Sequence, residues 1–215
     1  MLSKALKIMF IFLVVKPLVF VALGLNVINR NKLPQKGPVL IAANHNSHLD
    51  TLVLLALFPI SLVHKVRPVA AADYFLSNRF SAWLSLNVIG IIPINRTGNA
   101  ADRNALFNEC HRALDKGDIL LVFPEGSRGE PEVMSELKKG IYHLAREHDH
   151  CPVIPVVMKG LGMSLPKGTA MFVPFNCDVV IGQPVDHVDC SETFMAEIQA
   201  QYAELSQHCI TQYNA

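Results

Sequence analysis

A histidine and an aspartate five residues apart, His45 and Asp50, stand in the stretch Asn44-His45-Asn46-Ser47-His48-Leu49-Asp50. Such a pair can do general-base chemistry: the imidazole takes a proton, and the carboxylate orients the ring. The same residues also fit a purely local role. Ser47-x-x-Asp50 ahead of an apolar run matches a capping box, with Ser47 as N-cap and Asp50 in place of the usual Glu. The heptapeptide alone leaves both readings open. Two further stretches place polar groups just past apolar runs. Asn95-Arg96 follows Gly90-Ile91-Ile92-Pro93-Ile94, and Pro124-Glu125-Gly126-Ser127-Arg128-Gly129 follows Ile119-Leu120-Leu121-Val122-Phe123. Either arginine alone is consistent with a solvated loop residue. Two of them near a candidate base suit an anionic substrate such as a phosphate monoester, because the guanidinium fork matches phosphate oxygens. Ser127 does not form a nucleophile elbow, since that motif needs glycine two residues earlier and Glu125 stands there. Glu125 itself fits a partner for Arg128, a contact to a substrate hydroxyl, or both.

To act together, these residues must lie on loops that a sheet gathers at one edge. Apolar, β-rich runs occur at 38–43, 66–72, 88–94, 119–123, 152–158 and 171–181. Helical patterns fit 48–58, 74–86, 101–115, 138–148 and 191–212. The last has Asp189 and Glu192 at capping-box spacing, then Phe194, Ile198, Tyr202, Leu205 and Cys209 as one apolar stripe. Alternation of this kind predicts an α/β fold, a single domain whose largely parallel or mixed central sheet is flanked by helices. In such sheets functional groups collect on loops after the carboxyl ends of the strands. His45, Arg96 and the 124–129 loop all fall there.

Composition narrows the setting. The 215 residues allow one sizeable core. Only 17% are charged, below the roughly 25% of average soluble domains, which points to membrane contact. A formal net charge of +1 gives no basic field for nucleic acid. Five scattered cysteines, Cys110, Cys151, Cys177, Cys190 and Cys209, form no C-x-x-C pair and read as reduced thiols. The membrane signal is N-terminal: residues 8–15 and 18–25 are apolar runs separated by Lys16-Pro17. Proline is expected to kink the segment and Lys16 to snorkel. The favoured reading is a retained membrane-associating helical segment over 1–30 lying in one leaflet, ahead of an α/β domain over 31–215. A tilted span, a signal peptide and a soluble core helix are the alternatives. Lys4, Lys7, Lys16, Arg30 and Lys32 flank the apolar runs and favour an anionic cytoplasmic face.

Four blocks in order, N-H-x-S-x-x-D at 44–50, G-x-I-P-I-N-R at 90–96, F-P-E-G-S-R-G at 123–129 and Val153-Ile154-Pro155-Val156, resemble those of the glycerolipid acyltransferases. The resemblance is strongest to the 1-acylglycerol-3-phosphate (lysophosphatidate) acyltransferases and covers about residues 38–160. It implies that His45 is the general base, that Asp50 orients it, and that the acceptor hydroxyl itself attacks an acyl thioester. Arg96 and Arg128 would hold the acceptor phosphate, with Glu125, Gly126 and Ser127 shaping the acceptor site. The donor would be acyl-CoA or acyl carrier protein, with no cofactor and no metal. Its partners would be membrane lipids and the lysophospholipid acceptor, with no nucleic acid. One departure stands out: Asn95 precedes Arg96 where many members have Asp, which leaves acceptor specificity open. Glycerol 3-phosphate, another lysophospholipid or an acylated amino acid are alternative acceptors, and a non-catalytic membrane scaffold is the alternative from another class.

Other groupings carry less. His143, His148, His150 and Cys151 match no common zinc spacing, and histidines at a helix C-terminus suit its dipole. Trp83, with Phe75, Phe80 and Leu84, reads as core or membrane surface rather than as a ligand stack. Lys65, Arg67, Lys138, Lys139 and Lys167 fit either a phosphate field or solvated chain ends.

Overall fold

One sheet organises the computed structural model, which describes residues 2–75, 78–94, 103–130, 132–148, 150–165, 173–185 and 190–211. Its strands are β1 (Gly24–Ile28), β2 (Val39–Ala43), β3 (Val66–Ala71), β4 (Ile92–Ile94), β5 (Ile119–Val122), β6 (Val153–Lys159) and β7 (Asn176–Ile181). They lie in the order β1-β7-β6-β2-β5-β3-β4. Only β6 and β7 pair antiparallel, so β1 and β7 run against the other five. The sheet is mixed, as the sequence pattern allows.

All five residues of β2 are buried, as expected of a central parallel strand with both faces covered. Val39, Ile41 and Ala43 join one core layer with Ile11, Val15 and Val19 of the N-terminal helix and with Val53 and Leu54 of α2 (Leu49–Leu57). Leu40 and Ala42 join the opposite layer, built on α5 (Arg103–Asp115), α6 (Gly140–Arg146) and α8 (Ser191–Gln207). On α8 Phe194, Ile198, Tyr202 and Leu205 of the predicted stripe are buried, and Cys209 is buried just past the helix end at Gln207. Further short α-helices are α3 (Ala72–Phe75), α4 (Arg79–Leu84) and α7 (Leu161–Ser164).

Several expectations need revision. Residues 24–28, read with the N-terminal segment, form an edge strand paired in parallel with β7. The strand expected over 88–94 is confined to 92–94, because 85–89 form a π-helical turn closed by Gly90. At Pro17, where a kink is expected, the helix runs on through locally widened turns. Lys16 and Pro17 keep helical dihedrals, and wide π turns at Ile11–Val15 and Leu18–Ala22 flank the prolyl residue, which donates no N–H. All five cysteines are free thiols, and burial pushes four of them up, Cys110 and Cys151 to about 12 and Cys177 and Cys209 to about 11.

Lys7 is the sharpest correction, for it faces protein rather than lipid. It is 4% exposed, donates from Nζ to the Val66 carbonyl at 2.5 Å, and burial beside Arg67 lowers its pKa to about 7. Between about pH 7 and pH 10.5 the folded chain has released this proton while the unfolded chain holds it, so stability rises with pH across that window. Denaturant unfolding of wild type and Lys7→Met at several pH values is expected to show a rise of a few kcal/mol that the variant lacks. Parallel curves for the two proteins would place the Lys7 ammonium in water.

Candidate active site

The strand order brings the chemistry together. β2 and β5 are neighbours, so the 44–50 corner and the 124–128 loop leave the sheet side by side. At the corner, His45 Nδ1 lies 2.8 Å from Asp50 Oδ2, with Asp50 fully buried and the imidazole 20% exposed. The same Oδ2 accepts the backbone N–H groups of Asn46 at 2.7 Å and Ser47 at 2.8 Å. Ser47 Oγ in turn accepts the Leu49 N–H at 3.3 Å. Asp50 therefore hydrogen-bonds the histidine ring and also closes half of a capping box.

Both neighbours of β2 hold this corner. On the β6 side, Asn44 grips the Met158 backbone with Nδ2 to the carbonyl at 2.8 Å and Oδ1 to the N–H at 2.6 Å, and Asn46 Nδ2 reaches the same carbonyl at 3.1 Å. On the β5 side, the His45 N–H donates to Glu125 Oε1 at 2.7 Å, and Phe123 stacks on the imidazole at a centroid distance of 4.1 Å. With Nδ1 engaged, Nε2 is the ring nitrogen left for substrate. Asn44 and Asn46 have no role that sequence reasoning found; the available signal is an Asn-His-Asn run at a strand end.

Glu125, expected at the acceptor site, is placed differently. Its side chain is buried and its second oxygen accepts the Ser135 N–H at 2.8 Å. Burial pushes its carboxyl up and the two amides pull it back down. It is a tether between the His45 corner and the 132–138 loop. Glu125→Gln keeps one acceptor and turns an NH2 toward the other amide, a mismatch costing about 1–3 kcal/mol. The expected result is a lower Tm and lower turnover with an unchanged acceptor KM. A raised acceptor KM at an unchanged Tm would restore the substrate-contact role.

His45, Gly126, Ser127 and Arg128 line one cavity of about 770 Å³, whose remaining wall is largely apolar, with Leu52, Val69, Ile91, Ile94, Phe107, Val122, Ile141 and Leu144. That size and lining suit a long acyl chain. Gly126 has φ +73°, where a side chain is strained, and a Cβ there would sit 3.0 Å from Lys138 Nζ. Lys138, weighed only as an alternative in the sequence, thus joins Arg128 on the cavity wall. His48 lines it too; burial first, then the Arg128 charge, holds its imidazole below the ordinary range. The histidine group considered for zinc is divided: His143 faces the cavity, whereas His148 Nε2 meets His111 Nδ1 at 2.9 Å. Arg96 lies outside the described residues.

A histidine hydrogen-bonded to a buried carboxylate, two cationic side chains and a largely apolar cavity thus lie together where β2 and β5 end. Residues 24–159 match the family model described as Acyltransferase, and the chain belongs to that family. It is 31% identical over 154 residues to the 1-acyl-sn-glycerol-3-phosphate acyltransferase alpha of Mus musculus, an alignment covering 71% of this chain and 51% of that protein. To the chloroplastic 1-acyl-sn-glycerol-3-phosphate acyltransferase of Arabidopsis thaliana it is 25% identical over 182 residues, covering 84% and 48%. The chain thus spans about half the length of these curated relatives. The crystal structure of the 1-acyl-sn-glycerophosphate acyltransferase PlsC from Thermotoga maritima shares the fold, with TM-score 0.75 at 19% identity over 99% of this chain and 81% of that one.

Proposed function

We propose that this protein transfers a fatty acyl group from an acyl-CoA or acyl carrier protein thioester to the free hydroxyl of 1-acyl-glycerol 3-phosphate, forming phosphatidate. The observation that carries this reading is the His45–Asp50 pair at an apolar cavity that Arg128 also lines. His45 Nε2 takes the acceptor's hydroxyl proton as that oxygen attacks the thioester carbonyl. Asp50 stabilises the imidazolium so formed. The tetrahedral intermediate then collapses, the C–S bond breaks, and the proton passes to the departing thiolate. No enzyme nucleophile is consumed, in keeping with the absent elbow. Arg128 and Lys138, together with Arg96, bind the acceptor phosphate, and Gly126 and Ser127 shape its glycerol site.

The amphiphilic substrates place the enzyme at a membrane, on the cytoplasmic face. The helix Ser3–Ala22 is long and apolar enough to cross a bilayer. Its flank of Ile11, Val15 and Val19 is fully buried against the domain, while Met9, Phe12, Leu13 and Val21 are exposed. A helix with one flank committed to its own domain favours lying in the interface over spanning.

Free-thiol release from long-chain acyl-CoA in detergent micelles tests the reaction. Lysophosphatidate is expected to stimulate release, and glycerol 3-phosphate or a neutral lysophospholipid is expected to do so far less. An acceptor order headed by another compound would reassign the substrate. Absence of release with every acceptor, from acyl-CoA and from acyl carrier protein alike, would leave the membrane scaffold as the reading.

A further inference from the structure

Exposed large apolar side chains are concentrated on two adjoining elements. One is the outer face of the N-terminal helix. The other is α4 with the π turn after it, where Phe80 is 70%, Trp83 51% and Leu86 40% exposed. These three recur every third residue, which sets them on one side of the helical segment. The segment is formed at both ends. Asn78 Oδ1 accepts the N–H groups of Phe80 at 2.8 Å and Ser81 at 3.2 Å, and Asn87 Nδ2 donates to the Trp83 carbonyl at 3.0 Å. It also lies along the N-terminal helix, with Ser3 Oγ donating to the Asn87 carbonyl at 2.8 Å.

Charge says what covers this face. The chain has 18 acidic residues, yet residues 1–49 contain none and residues 74–101 contain none. Lys4 and Arg79 are exposed near the first residues of the two helical segments. Apolar side chains accompanied by cations, with acids excluded from both segments, complement an anionic lipid surface: aromatic and aliphatic groups enter the acyl boundary while cations meet phosphates.

We propose that the Phe80–Trp83–Leu86 face is a second lipid-docking surface, which beds into an anionic bilayer beside the N-terminal helix; this rests on the membrane seating proposed above. Two lines of contact fix the orientation of the domain on the bilayer, where a single helix leaves it free to roll. The same segment runs on into Ile89 and Ile91, which line the cavity. Docking therefore sets a cavity wall at the lipid, where acyl chains are.

Trp83 is the only tryptophan in the chain, so its fluorescence reports on this face alone. The full-length protein is to be mixed with phosphatidylglycerol/phosphatidylcholine vesicles, and co-sedimentation followed together with Trp83 emission and its quenching by lipids brominated along the acyl chain. Binding with a shift to shorter wavelength and with quenching is expected. Phe80→Ser/Leu86→Ser should weaken vesicle binding by about tenfold or more, with unchanged Tm and unchanged thiol release in micelles. Co-sedimentation without any Trp83 shift or quenching would overturn the second surface and leave the N-terminal seating intact. Failure to co-sediment would remove both. An emission shift that depends on protein concentration in the absence of lipid would overturn the proposal in favour of a second copy covering this face.

Discussion

His45→Ala is expected to lower lysophosphatidate-dependent thiol release by about 10²–10⁴-fold while leaving Tm nearly unchanged. The two halves of that statement have separate structural grounds. On the proposed mechanism turnover depends on a proton acceptor beside the reacting hydroxyl, and His45 is a cavity-lining histidine hydrogen-bonded to a buried carboxylate. His48 and His143 share the cavity. Stability depends little on the ring. Alanine gives up the stack on Phe123, but Asp50 Oδ2 keeps the Asn46 and Ser47 amides and the corner keeps the Asn44–Met158 grip. His45→Gln, which restores bulk without a base, is expected to be as inactive as the alanine variant. Activity within tenfold of wild type in either variant would assign proton abstraction to another group.

Much of the site was legible because its residues cluster in sequence before the fold brings the clusters together. His45 and Asp50 are one helical turn and a corner apart, so their contact is local. Likewise, Gly126-Ser127-Arg128 follows an obvious buried strand. What could not be read was adjacency. Nothing in the chain says that β5 inserts between β2 and β3, and this alone sets the 124–128 loop beside His45. The partners of Glu125 were hidden for a related reason. A carboxylate in a polar loop looks like a group for substrate, and only the folded backbone reveals the His45 and Ser135 amides that occupy both its oxygens. β1 was missed because Gly24-Leu25-Asn26-Val27-Ile28 continues an apolar helix without a compositional break; its partner β7 lies about 150 residues away. Around Pro17 the helix is held on both sides: Ile11, Val15 and Val19 are buried on one flank, and π turns adjoin the residue that lacks a donor.

On the proposed mechanism Asp50 serves both catalysis and the fold of its corner, so its substitutions separate the two. Asp50→Asn is expected to cut turnover by about 10³–10⁴-fold, the scale reported for a triad carboxylate made neutral in serine proteases. The amide oxygen can take the Oδ2 position and still accept His45 Nδ1–H and the Asn46 and Ser47 amides. Geometry then survives, but the negative charge that stabilises the imidazolium is gone. The new NH2 occupies the site of Oδ1, a buried atom with no hydrogen-bond partner, so stability should fall by about 1–3 kcal/mol. Asp50→Ala also removes the acceptor for both backbone amides and should cost about 2 kcal/mol more. Turnover should be lost to a similar degree in both variants, although their Tm values differ. Acceptor and donor KM should stay near wild type in each, because Asp50 sits behind His45 and outside the cavity lining. If instead activity falls in step with Tm from wild type through Asn to Ala, Asp50 acts by holding the corner together, and His45 must acquire its basicity without it.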